Sequence, residues 1–159
     1  MKVGIIGDTH GSKKSLNEII AAFSDVKLFL HTGDHWQDGY YLEQKTGIPV
    51  YTVKGNCDNG EMSTEIVFTL KDKKFFLTHG HLYGVKYGLK ALEERAMELH
   101  VDYCIYGHTH RTFMEKVNDV WFLNPGSITW NREEQNYAGI LLEYNHKNFS
   151  CCFLDVDIS

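Results

Sequence analysis

Lys2-Val3-Gly4-Ile5-Ile6-Gly7-Asp8-Thr9-His10 is the stretch on which the fold turns. Its apolar run ends abruptly in Gly-Asp, the pattern of a buried strand that feeds a loop carrying polar side chains. The same grammar recurs downstream. Val26 to Leu30 runs into Gly33-Asp34, and Ile48 to Val53 runs into Gly55-Asn56-Cys57-Asp58. Between the first two runs Ser12 is a plausible N-cap, and Leu16, Ile19, Ile20 and Phe23 follow at helical spacing. Strand, helix and strand in alternation predict parallel pairing through right-handed crossovers, and hence an α/β fold.

The second half changes character but keeps the strand-to-loop device. Thr64 to Leu70 and Lys74 to Thr78 flank Lys71-Asp72-Lys73, a hairpin signature, and the second strand delivers His79-Gly80-His81. Val85 to Leu99 reads as one helix with Leu89, Leu92, Ala96 and Leu99 on a stripe. Tyr103 to Tyr106 delivers Gly107-His108-Thr109-His110. Thr112–Val117, Val120–Leu123, Tyr137–Glu143 and Phe149–Leu154 read as antiparallel strands, interrupted by the turn Asn124-Pro125-Gly126-Ser127. No repeat, low-complexity tract or linker divides the chain, so one domain over residues 1–159 is expected. Each polar cluster follows a strand, which is where open α/β sheets bind ligands.

Bulk properties narrow the function. The formal net charge is −5 and no Lys/Arg block stands out, which discourages non-specific nucleic-acid binding. Cys57, Cys104, Cys151 and Cys152 include no CxxC pair and read as reduced thiols. With a strand starting at Lys2 there is no space for a targeting peptide, so a cytoplasmic protein is expected. No apolar run approaches the roughly 20 residues of a membrane span.

The clusters supply two carboxylates, an amide and several imidazoles, a donor set suited to a pair of divalent cations. Asp8 and His10 sit two apart just past a strand. Asp34 can bridge. The expected assignment puts Asp8, His10, Asp34 and His110 on one ion, and Asp34, Asn56, His79 and His108 on the other. Nitrogen and oxygen donors without thiolate favour Mn²⁺, Fe²⁺, Ni²⁺, Co²⁺ or Zn²⁺ over Ca²⁺ or Mg²⁺. Water held between two such ions loses its proton near neutral pH and attacks phosphorus in line, the metals neutralising the phosphoryl oxygens. Asp34, Asn56 and His81 are the candidate catalytic residues; His81 would hold a carboxylate, contact phosphate or support its loop. Each motif has a plainer use. Asp8 and Asp34 singly could cap turns, Asn56 alone is commonly a turn residue, and Arg111 could be a solvated arginine. His31, His35, His100 and His146 lack partner motifs and are expected to be structural or at the surface. Cys57 and Asp58 are expected to lie just behind the ligands. Trp36, Trp121 and Trp130 read as core, though Trp36 and Tyr40 could wall a cleft.

The order DxH, GD, GN, H and GHxH resembles the calcineurin-like metallophosphoesterases. The set GDTHG, GNCD, THGH, GHTH and NPGS resembles their small YfcE-type phosphodiesterases, over residues 4 to about 127. The resemblance implies a four-layer αββα sandwich of two mixed sheets flanked by helices, with a dinuclear site at one edge. It also implies phosphodiester hydrolysis, usually with Mn²⁺ or Ni²⁺. One departure from the wider superfamily stands out: many members place His after the Asn of the GN motif, whereas here Cys57 follows. A thiol replaces an imidazolium acid poorly, so activated leaving groups such as aryl esters are expected to be preferred. With only three arginines (Arg95, Arg111, Arg132) for clamping a dianionic monoester, small or nucleotide-like diesters are expected over monoesters. The chain lacks the long insertions that the resemblance would imply for a nucleic-acid nuclease, so duplex nucleic acid is not expected. The alternatives are a phosphomonoesterase or a protein-interaction scaffold similar to the retromer-coat subunit of this fold. Tyr40, Tyr41, Tyr83 and Tyr87 could line a cleft or a homo-oligomer interface.

Overall fold

Side-chain alternation in the central strands sets the layering. The structure is a computed structural model that describes residues 1–129 and 137–155. In β1 (Lys2–Ile6), Val3 and Ile5 face one side and Ile6 the other, and β2 (Val26–His31) repeats this with Leu28 and Leu30 against Val26 and Phe29. In β5 (Lys73–Thr78), Phe75 and Leu77 point inward and Phe76 outward; in β6 (Tyr103–Ile105), Tyr103 and Ile105 oppose Cys104. Strands apolar on both faces must be covered on both faces.

Two five-stranded sheets meet that need. The first has the order β10-β9-β1-β2-β3, with β3 at Val50–Thr52, β9 at Tyr137–Asn145 and β10 at Asn148–Asp155. Its β1, β2 and β3 run parallel, and β9 joins β1 antiparallel. The second has the order β4-β5-β6-β8-β7, with β4 at Glu65–Leu70, β7 at Thr112–Val117 and β8 at Val120–Pro125. Between the sheets lies one apolar cluster containing Val3, Leu30, Phe75, Leu77 and Ile105. Helix α1 (Lys13–Ile20) packs Leu16 and Ile19, and α2 (Gln37–Thr46) packs Leu42, on the outer face of the first sheet. Helix α3 (Lys90–Leu99) packs Leu92 and Ala96 on the outer face of the second. The result is the expected four-layer αββα sandwich.

Several local expectations are corrected. The single helix over Val85–Leu99 is a 3₁₀ turn at Val85–Tyr87 followed by α3, because Gly88 adopts φ 138°, ψ 170° and breaks the helical path. Helix α2 was not expected, since Asp38, Gly39, Tyr40 and Tyr41 give no clean apolar stripe; Asp38 and Gly39 are nonetheless buried. The hairpin turn is shorter than read: Leu70 pairs with Lys73, leaving Lys71-Asp72, with Lys71 at φ 59°. The third strand is shorter, Val50–Thr52 rather than Ile48–Val53. Strand β8 is antiparallel to β7 but parallel to β6, and it extends through Asn124-Pro125, so the turn begins later than expected. Tyr40 and Tyr87 are exposed, but Tyr41 and Tyr83 are half-buried and donate to Asn17 and Glu65. Trp36 and Trp121 are half-buried rather than core. Trp130 and Arg132 lie outside the described residues. No helix among the described residues is long and apolar enough to cross a membrane.

Candidate metal centre

Strands β1, β2 and β3 run parallel in one sheet and β5 and β6 in the other, and the loops beyond their carboxyl ends bring the predicted side chains together. The ligand atoms of Asp8, His10, Asp34 and His110 lie within 4.8 Å of one another, as do those of Asp34, His79 and His108. Asp34 belongs to both groups. Asn56 joins the second, its Oδ1 lying 3.1 Å from His79 Nε2. The fold thus brings the side chains of the two expected groups close together. His81 belongs to neither: its ring centroid lies 5.4 Å from His79 and 6.2 Å from His108, and its buried Nδ1 has no hydrogen-bond partner among the described residues.

The backbone is bent to make this possible. Asp8, His10, Asp34, His108 and His110 all have φ between 48° and 71°, a region that side-chain-bearing residues rarely adopt. Such strain persists where the surroundings hold it, and it clusters at functional sites. Glycines give the room. A Cβ on Gly107 would stand 2.5 Å from Thr32 Oγ1 and 2.7 Å from Asp8 Oδ2; one on Gly55 would stand 2.2 Å from Asp34 Oδ1.

A ring of hydrogen bonds aims the donors. His79 Nδ1 donates to the Thr32 carbonyl at 2.8 Å, which turns Nε2 toward the cluster. The Cys57 N–H donates to Asp34 Oδ1 at 3.0 Å, and the His108 N–H to Asp8 Oδ2 at 3.1 Å. Ser127 Oγ donates to the Asp8 carbonyl, and Asn124 Nδ2 donates to the Gly107 carbonyl and to Thr109 Oγ1. Asp58 accepts from the N–H groups of His35, Trp36 and Gly55, tying the second and third loops together. Asp38, buried in α2, accepts from the Gly11 N–H. This last contact escaped the sequence reading, because nothing marks an Asp in a weakly patterned segment as buried.

The donor set fits divalent cations. Asp8 Oδ1 is buried and accepts no hydrogen bond, yet it faces His110 Nε2 at 3.3 Å and His79 Nε2 at 4.0 Å. His10 Nε2 and His110 Nε2 approach to 3.2 Å, and His79 Nε2 and His108 Nδ1 likewise. Imidazole lone pairs converging at that range repel unless a proton or a metal ion lies between them. Burial works to raise the Asp34 carboxyl pKa, but the hydrogen bond and charge of His79, with the Cys57 N–H, hold it well below the usual carboxylate range. Burial works to lower His79, but Asp34 and Asp8 outweigh it and raise its pKa. A metal ion at Nε2 would therefore compete with a proton there.

His31 has a different task. It is fully buried, and its Nδ1 accepts from the Gly33 N–H at 3.2 Å, which leaves the ring proton on Nε2 for Thr9 Oγ1 at 3.0 Å. Burial lowers its pKa to about 4, against the raising influence of Asp38 and Asp8. The folded chain keeps the ring neutral, while the unfolded chain protonates it near pH 6.5. Its contribution to stability is therefore intact above about pH 6.5 and is lost as pH falls toward 4, by up to about 3 kcal/mol. Urea unfolding in chelator at pH 7.5 and 4.5 should show a smaller acid loss for His31→Gln than for the parent. Equal losses would mean that His31 does not titrate in this window.

The sequence model of the calcineurin-like phosphoesterase superfamily domain matches residues 1–147. The chain belongs to that superfamily. Among calcineurin-like relatives, a probable metallophosphoesterase, YsnB of Bacillus subtilis, is 35% identical over 147 residues, covering 90% of this chain and 85% of its own. A phosphodiesterase of Methanocaldococcus jannaschii is 31% identical over 172 residues, covering 90% and 100%. Among solved structures, a predicted phosphoesterase from Streptococcus pneumoniae superposes with TM-score 0.82 at 25% identity, over 99% of this chain and 92% of that one. Vps29 of Entamoeba histolytica, in complex with zinc, superposes with TM-score 0.75 at 26% identity, over 98% and 99%.

Proposed function

We propose that this chain is a divalent-metal-dependent phosphodiesterase acting on small or nucleotide-like diesters. The observation that carries the proposal is Asp34, a carboxylate common to two compact donor groups. Asp8, His10, Asp34 and His110 would hold one ion, and Asp34, Asn56, His79 and His108 the other. Two such ions, when bound, supply an acidified water and positive charge against the phosphoryl oxygens. Mn²⁺ or Ni²⁺ is favoured, with Fe²⁺, Co²⁺ and Zn²⁺ also suited to this donor set.

The chain's own residues supply positioning. A cleft of about 400 Å³ opens over the cluster, lined among others by His10, Asn56, Cys57, Lys86 and His108. Lys86 puts one cation beside the site, enough to attract a monoanionic diester. At the position after Asn56 stands the exposed Cys57, whose thiol pKa is raised by burial and by Asp34, so it remains a weak acid. That arrangement supports the expected preference for aryl esters. The relative named as a phosphodiesterase supports the diester reading. A protein-interaction scaffold keeps one support, the likeness to Vps29.

Chelator-stripped protein, given back Mn²⁺, Ni²⁺, Zn²⁺, Co²⁺ or Mg²⁺ singly, is expected to cleave bis-p-nitrophenyl phosphate faster than the p-nitrophenyl monoester. Two bound ions without turnover of either would favour the scaffold.

A further inference from the structure

A second cavity, about 370 Å³, adjoins the metal cleft. Val85, Leu89, Tyr106 and Phe113 form its apolar walls, and Lys86 and Arg111 stand at its edge. Lys86 lines both cavities, so the two are neighbours on either side of it. The same loops build both. Tyr106 precedes Gly107-His108 and Arg111 follows His110, while Val85 and Lys86 follow the loop that carries His79 and His81.

Its chemistry is specific. Tyr106 and Phe113 set their rings 6.3 Å apart at 58°, an aromatic corner against the aliphatic side chains of Val85 and Leu89. Acids outnumber bases 21 to 16 in the chain, yet neither Lys86 nor Arg111 has a carboxylate partner among the described residues, whose Lys and Arg ion pairs use Lys14, Arg95 and Lys116. Two unpaired cations beside an aromatic corner suit a flat ring attached to an anion. The volume falls in the usual range for small ligands, about 300–1,000 Å³.

We propose that this cavity receives one ester arm of the substrate, and that the arm is nucleotide-like, carrying a ring and a second anionic group. This assignment rests on the phosphodiesterase reading and gives it a substrate class. Arg111, with its planar fork, would grip the second anion; Phe113 and Tyr106 would take the ring.

The test uses the metal-loaded protein and three diesters: bis-p-nitrophenyl phosphate, the p-nitrophenyl ester of thymidine 5′-phosphate, and the same ester bearing a 3′-phosphate. In the parent the 3′-phosphate is expected to lower KM about tenfold, the size of a charge-assisted contact. Arg111→Ala, at an exposed side chain, is expected to erase most of that advantage. Phe113→Ala is expected to shrink the advantage of both nucleoside esters over the bis-aryl ester. Lys90→Ala, a charge loss of the same size at the start of α3, should leave these KM ratios as they are. Diester cleavage with ratios unmoved by Arg111→Ala and Phe113→Ala would overturn the subsite and leave the phosphodiesterase standing. Failure of all three diesters with every metal would overturn both.

Discussion

Replacing Asp34 by Asn is expected to remove more than about 100-fold of diester cleavage and to lower the bound metal below two ions per chain. Loss of a group that only orients a ligand typically costs about 10–100-fold. Asp34 contributes to both donor groups, so its loss should exceed that range. The substitution preserves shape and one oxygen, so the hydrogen bond from the Cys57 N–H can survive. What disappears is the negative charge that opposes His79 at 3.3 Å and would balance two dications. Metal content by plasma spectrometry, kcat/KM with saturating metal, and the melting temperature of the stripped protein together separate a metal defect from unfolding. Metal content and activity both intact in Asp34→Asn would sink the enzyme reading.

The largest effect on stability should come from Phe75→Ala, at about 3–5 kcal/mol. Phe75 is fully buried between the sheets. Its ring stacks on Phe68 at 5.2 Å and on Tyr103 at 4.7 Å, and meets Phe149 edge-on at 5.4 Å. Removing it opens a cavity where the two sheets meet, flanked by strands that cannot close up without breaking their ladders. Natural domains hold only about 5–15 kcal/mol of stability, so the variant is expected to melt about 10 °C or more below the parent. Its ligand loops lie at the strand ends, away from the lesion. Activity per folded molecule should therefore persist in the cold, measured after the unfolded fraction is counted. A melting shift of only a degree or two would mean that the inter-sheet core repacks freely.

The two variants separate chemistry from scaffold, and the same division marks what could be read from the chain. Asp8, Asp34, Asn56, His79, His108 and His110 were legible because each follows an apolar strand run, and strand ends converge in an α/β sheet. Individual strands were legible in the same way, through runs such as Val26–Leu30 and Lys74–Thr78, whereas their division into two sheets came from the family resemblance. Helix α2 was not, because its segment carries Gly39 and Asp38 among tyrosines; it is held by burial of Leu42 and by the bond from Gly11 to Asp38 rather than by its own pattern. The helix read over Val85–Leu99 runs through Gly88, and only the φ of 138° at that residue shows the break.

By itself the sequence determined which side chains could act and at which strand ends they would stand, since hydrophobic period and loop chemistry are local properties. Tertiary structure alone decided how closely the side chains of the two expected groups approach, that His31 is a neutral buried tie, and that Lys86 and Arg111, with no carboxylate partner among the described residues, line a cavity with an aromatic corner. Those facts depend on distances between residues up to about a hundred positions apart, such as His10 and His110, and only the pairing of strands and packing of sheets sets such distances.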